Sequence, residues 1–348
     1  MISSNIREGN IRKLLSDDSK KNIRPISLTV ELTYRCNFRC IHCYIPDKDR
    51  QEDGEITFDE IKDILDQAEN LGVIYVCFTG GEIFLRKDIF DIIRYARNKG
   101  FYIRLKTNGS LITKKIAAKI AKSMVNAIDI SLYAFDEKGY KKITGKKGVL
   151  NNVLGAVLNL KKQKIPVRIA YIFLKENMGY SKKIVDFAKR NKIEFSYNFQ
   201  ISNKNDGCSD TLDHACTDSE NVLNTLDYFN KKRKDSETSK KKGNKTNKEY
   251  GGRCDVGYSG IRVSPYGLVY PCVILQTPAG NIRHDRLSNI YKNSHTFNLV
   301  RSIKTFKDLE NCKKCDFEEY CRPCLGERLN CNPTIKEYAE INKKIMLR

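Results

Sequence analysis

The sequence predicts an α/β protein, built as an open, partial (β/α)6 barrel that is followed by a small cysteine-rich C-terminal domain. Two observations support this fold class. From Pro25 to about Gln200, β-branched apolar runs alternate with amphipathic segments, which is the pattern of repeated β/α units around a parallel sheet. After Gly251, short strands, turns and cysteines dominate. A region with so little core is best explained as one stapled by metal.

Six strands and five helices are predicted in the barrel. The strands are the apolar runs at 26–32, 73–78, 101–106, 127–132, 167–173 and 193–199. The helices lie between them, at 57–70, 88–99, 113–123, 149–162 and 180–191. The first helix begins with a capping box, Thr57 and Glu60, and has apolar residues at helical spacing. Because a closed eightfold barrel takes about 250 residues and no further unit is visible, the barrel is predicted to be partial.

The chain divides into four parts on this interpretation. Residues 1–24 are an N-terminal extension, and residues 25–202 form the barrel. Residues 203–250 are polar and rich in lysine, with a helical piece around 222–229, and are predicted to bridge two domains. Residues 251–348 contain the cysteine-rich domain and a C-terminal tail.

Composition excludes several classes of protein. Hydrophobic residues make up 40% and charged residues 30%, as in soluble globular proteins. No window approaches the roughly 20 apolar residues of a membrane helix, and no secretion signal is visible, so a cytoplasmic protein without a membrane partner is predicted. Lysine and arginine number 63 against 42 acidic residues, a net charge of +21 that suits an anionic partner. Nucleic acid is disfavoured because no aromatic-basic binding motif accompanies the charge.

The thirteen cysteines indicate metal binding, since a reducing compartment argues against disulfides. They form two separate clusters, which predicts two separate sites. Cys36, Cys40 and Cys43 follow the first strand with the spacing C-x3-C-x2-C. Three thiolates are one short of a closed zinc site or a fully ligated iron-sulfur cluster. A cluster with one free iron is one interpretation; a structural zinc with His42 or another fourth ligand is the other.

This motif resembles that of the radical SAM (S-adenosylmethionine) family, C-x3-C-x-aromatic-C, with His42 in the aromatic position. The resemblance implies a partial TIM-type barrel and a 4Fe-4S cluster whose free iron is chelated by SAM. It also implies reductive cleavage of SAM to a 5′-deoxyadenosyl radical that removes a hydrogen atom from the substrate. An electron donor such as flavodoxin or ferredoxin is implied as well.

Further segments resemble the SAM-binding positions of that family. Gly80, Gly81 and Glu82 match its GGE motif after the second strand, which implies that they hold the SAM amino group. Glycines there allow close approach of the backbone. Asn108 after the third strand and Ser131 in the fourth occupy places that contact SAM in the family. For these two, a turn asparagine and a satisfied core hydroxyl remain open alternatives.

The C-terminal cysteines resemble the SPASM domain, an extension of radical SAM enzymes that carries auxiliary 4Fe-4S clusters. The matching residues are Cys254, Gly267, Cys272, Cys312, Cys315, Cys321, Cys324 and Cys331. The spacing departs from the family pattern in having two residues, instead of three, between Cys321 and Cys324. One implied ligand set is Cys312, Cys315, Cys321 and Cys331. The other is Cys254, Cys272 and Cys324, with an open iron or a borrowed ligand.

Three cysteines remain outside these sets. Cys208 and Cys216 lie in the bridge and are predicted to be spare, although either could supply the missing ligand. Cys77 lies within the second strand and is predicted to be a small buried hydrophobe.

The SPASM resemblance implies a peptide or protein substrate, with a thioether or another crosslink in a ribosomally made peptide as the leading expectation. No catalytic acid or base is predicted. In sulfatase maturases, an aspartate follows the cysteine of the SPASM G-x4-C segment and serves as base. In this sequence the corresponding cysteine is Cys272, and Val273 follows it. Only 24 residues precede Pro25, so leader recognition, if it is needed, is expected to fall to a separate protein or to another surface of this chain.

Two alternatives remain open at this point. A haem-pathway or other small-molecule radical SAM enzyme would share the two-part layout, and the basic charge would suit a polycarboxylated tetrapyrrole. A non-enzymatic, zinc-stapled basic binding protein would explain the cysteines but would leave Gly80, Gly81 and Glu82 without a purpose.

Overall fold

The computed structural model describes residues 8–51, 53–216, 218–234, 255–303 and 324. Nine strands form one sheet in the order β6-β5-β4-β3-β2-β1-β7-β8-β9. Their bounds are β1 Ser27–Thr33, β2 Tyr75–Gly80, β3 Tyr102–Thr107, β4 Ala127–Ser131, β5 Val167–Ile172, β6 Glu194–Asn198, β7 Gly260–Val263, β8 Leu268–Tyr270 and β9 Gly280–Asn281.

The first six strands are the predicted barrel strands. Each pairs in parallel with the next along the chain, and helices connect them, as expected for β/α units. The helices are α1 Glu8–Asn22, α2 Phe58–Asn70, α3 Ile89–Asn98, α4 Lys114–Lys122, α5 Glu137–Thr144, α6 Leu150–Lys162, α7 Ser181–Arg190, α8 Ser219–Lys234, α9 Leu287–Asn293 and α10 His295–Ser302. The predicted α/β class is confirmed, and the Thr57 capping box is present at the start of α2.

Successive side chains along each strand point to opposite faces of the sheet, which places apolar side chains on one face and charged side chains on the other. On β3, Ile103 and Leu105 are fully buried in the core that the helices also enter. The intervening Arg104 points to the opposite face, where its guanidinium donates to the buried carboxylate of Asp129 on β4 at 2.8 Å. Arg168 on β5 donates to the same carboxylate at 3.0 Å. The two guanidinium charges therefore neutralise the buried carboxylate of Asp129 on this face.

β7 joins the cysteine-rich part of the chain to the barrel sheet. It pairs in parallel with β1, with Ser27 opposite Gly260, and β8 and β9 follow in antiparallel pairing. The short strands expected after Gly251 thus extend the barrel sheet. The physical reason is that β2 covers only one edge of β1, and the backbone groups of the other edge need partners.

Four of these helices were not expected from the sequence, and two of them, α9 and α10, lie where short strands and turns were predicted. α1 lies in the predicted N-terminal extension, where Ser16 and Lys20 contact the Asp255 carboxylate at 2.6 and 3.0 Å. α5 stands between β4 and α6. α8 includes the helical piece expected around 222–229. Across the described residues, none of the helices combines the length and the apolar character that crossing a bilayer requires.

Candidate active site

The loop after β1 brings the three N-terminal cysteines together. Cys36, Cys40 and Cys43 are all half-buried, and the Cys43 amide donates to the Cys40 carbonyl at 3.0 Å. Burial raises the pKa of the Cys36 and Cys40 thiols, and the negative charge of the neighbouring Cys43 thiolate raises both further. Buried thiols that disfavour one another's negative charge are stabilised by a bound cation.

Helix α5 holds this loop in place. The Arg39 amide donates to the Thr144 carbonyl at 2.8 Å, and the Ile41 amide donates to the Ile143 carbonyl at 3.0 Å. These carbonyls belong to the last turn of α5, where they lack partners within the helix. The unexpected helix therefore provides the acceptors that fix the backbone around Cys40.

Arg50 closes the loop from the other side. Its guanidinium donates to the Phe38 carbonyl at 3.4 Å and to the Ile45 carbonyl at 3.2 Å, so that it spans the stretch containing Cys40 and Cys43. Its side chain is 5% exposed, and its positive charge lowers the pKa of the Cys36 and Cys40 thiols. Arg50 was missed in the sequence because nothing in its local pattern distinguishes it from a surface arginine.

Gly80 and Gly81 lie against the backbone that leads into the cysteine loop. A Cβ on Gly80, whose φ is +124°, would be 2.3 Å from the Thr33 carbonyl oxygen. A Cβ on Gly81 would be 2.2 Å from the Arg35 carbonyl oxygen. The close approach that these glycines permit is therefore to the chain's own backbone, a role that the sequence did not reveal.

Glu82 connects the loops at the carboxyl ends of β2 and β3 through hydrogen bonds. Its fully buried carboxylate accepts hydrogen bonds from the Thr107 hydroxyl at 2.8 Å, the Asn108 amide at 2.9 Å and the Phe84 amide at 3.1 Å. Burial raises the pKa of Glu82, while these bonds act in the opposite direction. The Asn108 side-chain amide points back to Cys36, with 3.9 Å between Nδ2 and Sγ. The structure thus brings Glu82, Asn108 and Cys36 together.

His42 and Ser131 lie on another side of the loop. The His42 ring packs edge-to-face on Tyr133, with 4.8 Å between ring centroids, and Ser131 lies beside the Tyr133 hydroxyl. Burial lowers the pKa of His42 to about 4, so the ring is neutral near pH 7. None of the hydrogen bonds between described side chains links Ser131 to Glu82 or Asn108, and its contact with SAM stays a prediction.

Comparison with known proteins identifies the chain. Residues 30–188 match the model of the radical SAM superfamily, and residues 254–316 match that of the SPASM iron-sulfur cluster-binding domain. The chain belongs to the radical SAM superfamily. It is an enzyme whose cofactors are iron-sulfur clusters and SAM, so the non-enzymatic zinc interpretation is rejected.

This radical SAM enzyme has relatives of more than one named activity. The AdoMet-dependent heme synthase of Methanosarcina barkeri is 27% identical over 340 residues, which is 91% of this chain and 95% of that protein. The subtilosin biosynthesis protein AlbA of Bacillus subtilis is 27% identical over 318 residues, 88% of this chain and 69% of AlbA. Streptococcus suis SuiB, solved with SAM, superposes with a TM-score of 0.69 at 20% identity, over 95% of this chain and 80% of SuiB, and has the same fold.

The three-cysteine loop of this enzyme fits an iron-sulfur cluster. Three soft thiol donors lie in one loop that is already braced by α5 and by Arg50, and such thiolates are the usual ligands of iron-sulfur clusters. Within the described ranges, no group of three His, Cys, Asp or Glu side chains is arranged to hold a single metal ion.

The C-terminal part of the radical SAM enzyme is described only between its predicted cysteine ligands. Cys254, Cys312, Cys315, Cys321 and Cys331 lie outside the described residues. Cys272 and Cys324 are half-buried, and the Cys272 sulfur accepts the Leu275 amide at 3.2 Å. Both auxiliary ligand sets therefore stay predictions.

The three cysteines outside the predicted sets have different surroundings. Cys216 is buried, with its sulfur 3.3 Å from the Met178 sulfur, and Cys208 is exposed. Cys77 is half-buried and lines a cavity of about 250 Å³ together with Arg104, so it is less buried than the predicted small buried hydrophobe.

Proposed function

We propose that this radical SAM enzyme modifies a peptide, and that it forms a thioether or another crosslink in the maturation of a ribosomally made peptide. The observation that carries the proposal is that a relative named for bacteriocin biosynthesis, AlbA, aligns with 88% of the chain. A PqqA peptide cyclase is 24% identical over 308 residues, and SuiB was solved bound to its precursor peptide SuiA. The net charge of +21 would favour an acidic leader segment.

The proposed chemistry begins with SAM. When bound, the cluster supplies the electron that cleaves SAM to methionine and a 5′-deoxyadenosyl radical, which removes a hydrogen atom from the peptide. Cys36, Cys40 and Cys43 would hold this cluster. Glu82 and Asn108 would orient SAM from the ends of β2 and β3, because both lie buried beside Cys36.

The remaining predicted roles belong to the same proposal. His42, Ser131, Gly80 and Gly81 would line the SAM site. The two auxiliary clusters would be held by the cysteine sets that the SPASM resemblance implies. Flavodoxin or ferredoxin would donate electrons, a separate protein would bind the leader, and the enzyme would work in the cytoplasm, where thiols stay reduced.

Haem-pathway chemistry is the second candidate. It is favoured by the heme synthase of M. barkeri, because this chain aligns with 95% of that protein. A polycarboxylated tetrapyrrole would also suit a chain with a net charge of +21.

Co-expression with a panel of short cysteine-bearing peptides, drawn from the open reading frames that flank the gene, tests the peptide proposal. Mass spectrometry should show loss of two hydrogen atoms per crosslink with wild-type enzyme and with C208A, whose thiol is exposed and outside the predicted ligand sets. The C40A variant should give unmodified peptide. Purified enzyme is offered iron coproporphyrin III in parallel. Conversion of the tetrapyrrole with no change in the peptide would overturn the proposal in favour of the second candidate.

A further inference from the structure

A strap formed by residues 203–216 crosses the mouth of the barrel. At one end, the Asn205 amide donates to the carbonyl of Tyr44, directly after Cys43, at 2.8 Å. At the other end, Ala215 forms an antiparallel bridge with Leu174 in the loop after β5. The strap therefore runs from the cysteine loop to the carboxyl end of β5, the side on which barrel enzymes place their chemistry.

His214 projects from this strap onto Glu176. The His214 Nδ1 atom is 2.8 Å from the Glu176 Oε1 atom, and the two side chains are 28% and 13% exposed. The Lys175 amide donates to the His214 carbonyl at 3.2 Å and holds the backbone beside the carboxylate. A carboxylate that accepts Nδ1–H selects one tautomer of the ring, and the other nitrogen, Nε2, then carries a lone pair.

Two buried polar atoms, one within this pair and one near it, have no hydrogen-bond partner among the described residues. They are the second carboxylate oxygen of Glu176, Oε2, and the Nδ1 atom of His42. His42 is close enough to His214 for the charge of one imidazole to affect the other. Since buried polar atoms are nearly always paired, atoms left open at the mouth of a barrel indicate the place of a polar ligand.

We infer that His214, oriented by Glu176, is the general base of the enzyme and accepts a proton from a cysteine thiol of the bound peptide. The proton moves from sulfur to Nε2, the electron pair stays on sulfur as the thiolate, and the Glu176 carboxylate stabilises the imidazolium. Ordinary pKa values near 6.5 for imidazole and 8.5 for a thiol make this transfer easy, whereas an aliphatic hydroxyl is far less acidic. The inference rests on the proposed function in requiring a peptide substrate.

Glu176 also determines how the His214 ring is held. Its carboxylate oxygen lies 2.8 Å from Nδ1, and Lys175 fixes the strap by placing its Nζ on the Asp213 carbonyl at 2.9 Å. Replacing Glu176 by glutamine removes the carboxylate that selects the tautomer. Product formation by E176Q should therefore fall between that of wild type and that of H214Q.

Kinetics with matched variants test the inference. Four enzymes are compared: wild type, H214Q, E176Q and H284Q, which alters an exposed histidine. Each is reconstituted without oxygen and given a synthetic cysteine-bearing peptide that the wild-type enzyme modifies on co-expression. H214Q should retain its iron and its formation of 5′-deoxyadenosine within about twofold while product falls roughly 100-fold or more, with partial rescue by added imidazole. H284Q should match wild type. Equal product rates for H214Q and wild type at all pH values would overturn the inference, as would loss of iron in H214Q.

A second measurement needs no substrate. Nitrogen NMR of histidine-labelled enzyme should show the Nδ1–H tautomer for the signal that disappears in H214Q, and a mixture of tautomers in E176Q. An Nε2–H tautomer in wild type would overturn the inference. Absence of peptide product from wild type, with the Nδ1–H tautomer present, would instead count against the proposed function.

Discussion

The carboxylate of Glu31 on β1 lies 3.8 Å from the Nε atom of Arg262 on β7, and each side chain is 1% exposed. The hydroxyls of Tyr34 and Tyr44 donate to the same carboxylate at 2.9 and 2.5 Å. The Arg262 guanidinium also donates to the carbonyl of Val273 at 3.1 Å. This buried pair therefore connects both ends of the three-cysteine loop to the segment that carries Cys272.

Removing the positive charge of this pair should destabilise the protein strongly. R262M leaves the Glu31 carboxylate buried without a cation, and we expect the free energy of unfolding to fall by about 3–5 kcal/mol. Urea unfolding at pH 7 measures the change. The double variant E31Q/R262M, which removes both charges, should recover part of the loss. A double variant no more stable than R262M would show that the unpaired charge is not the cause.

The contact between Gly81 and Arg35 predicts a second effect. G81A places a methyl group 2.2 Å from the Arg35 carbonyl oxygen, so the backbone before Cys36 must move. We expect a loss of stability of about 1–3 kcal/mol, together with a lower iron content after anaerobic reconstitution. G155A, in α6, is the control, because its new methyl group meets nothing within 4 Å. It should be neutral or slightly stabilising. Equal iron contents in the two variants would contradict this prediction.

Arg50 should control how firmly the N-terminal cluster is held. R50M removes both the hydrogen bonds to the Phe38 and Ile45 carbonyls and the nearby positive charge. Changes to groups that support metal ligands typically weaken retention about 10- to 100-fold, and we expect a loss in this range when the protein competes with an iron chelator. R50K keeps the positive charge but loses the planar guanidinium that can donate to two carbonyls at once. Its retention of iron should therefore lie between those of wild type and R50M. Wild-type retention in R50M would refute this bracing role.

The ion pair between Arg86 and Asp88 predicts a pH-dependent stability. Arg86 donates to both oxygens of the Asp88 carboxylate, at 2.9 and 2.6 Å, and these bonds lower the pKa of Asp88. The stabilisation is therefore full above the ordinary aspartate pKa, near 3.9, and is lost as the pH falls below it. D88N should be less stable than wild type by about 2 kcal/mol at pH 7, and the difference should shrink toward zero in acid.

D91N is the matched control for this measurement. Asp91 pairs with Arg94 on the surface, where both side chains are more than half exposed, so its loss should cost less than about 0.5 kcal/mol. Thermal and urea unfolding between pH 3 and pH 7 would follow both variants. A constant difference between D88N and wild type over this range would refute the assignment.

The barrel strands can be predicted from the sequence because each is a short apolar run in a repeating β/α pattern. Tyr102–Thr107, for example, lies within one residue of its predicted start and end. α5 escapes such prediction because its eight residues include a glycine and three lysines and no long apolar stripe. The pairing of Ser27 with Gly260 escapes it because local patterns carry no information about partners so distant in the chain.

The residues of the candidate site also fall into those that local sequence patterns predict and those that they do not. The cysteine spacing and the glycines before Glu82 are local signals, and they predict where the cofactor chemistry belongs. Arg262, Arg50 and the pair of His214 and Glu176 are isolated polar residues in the sequence. Their importance becomes visible only when folding buries them beside one another.

The parallel pairing of β1 with β7 sets the order in which parts of the chain can reach their final structure during synthesis. β1 leaves the ribosome early, but its second edge stays uncovered until Gly260 of β7 has been synthesised and can pair with Ser27. Until then the nascent barrel exposes a strand edge, and such edges recruit other chains. The cysteine loop grows directly from that strand. Its final shape is therefore reached late in synthesis, and a chaperone that shields the open edge of β1 would protect the future metal centre as well.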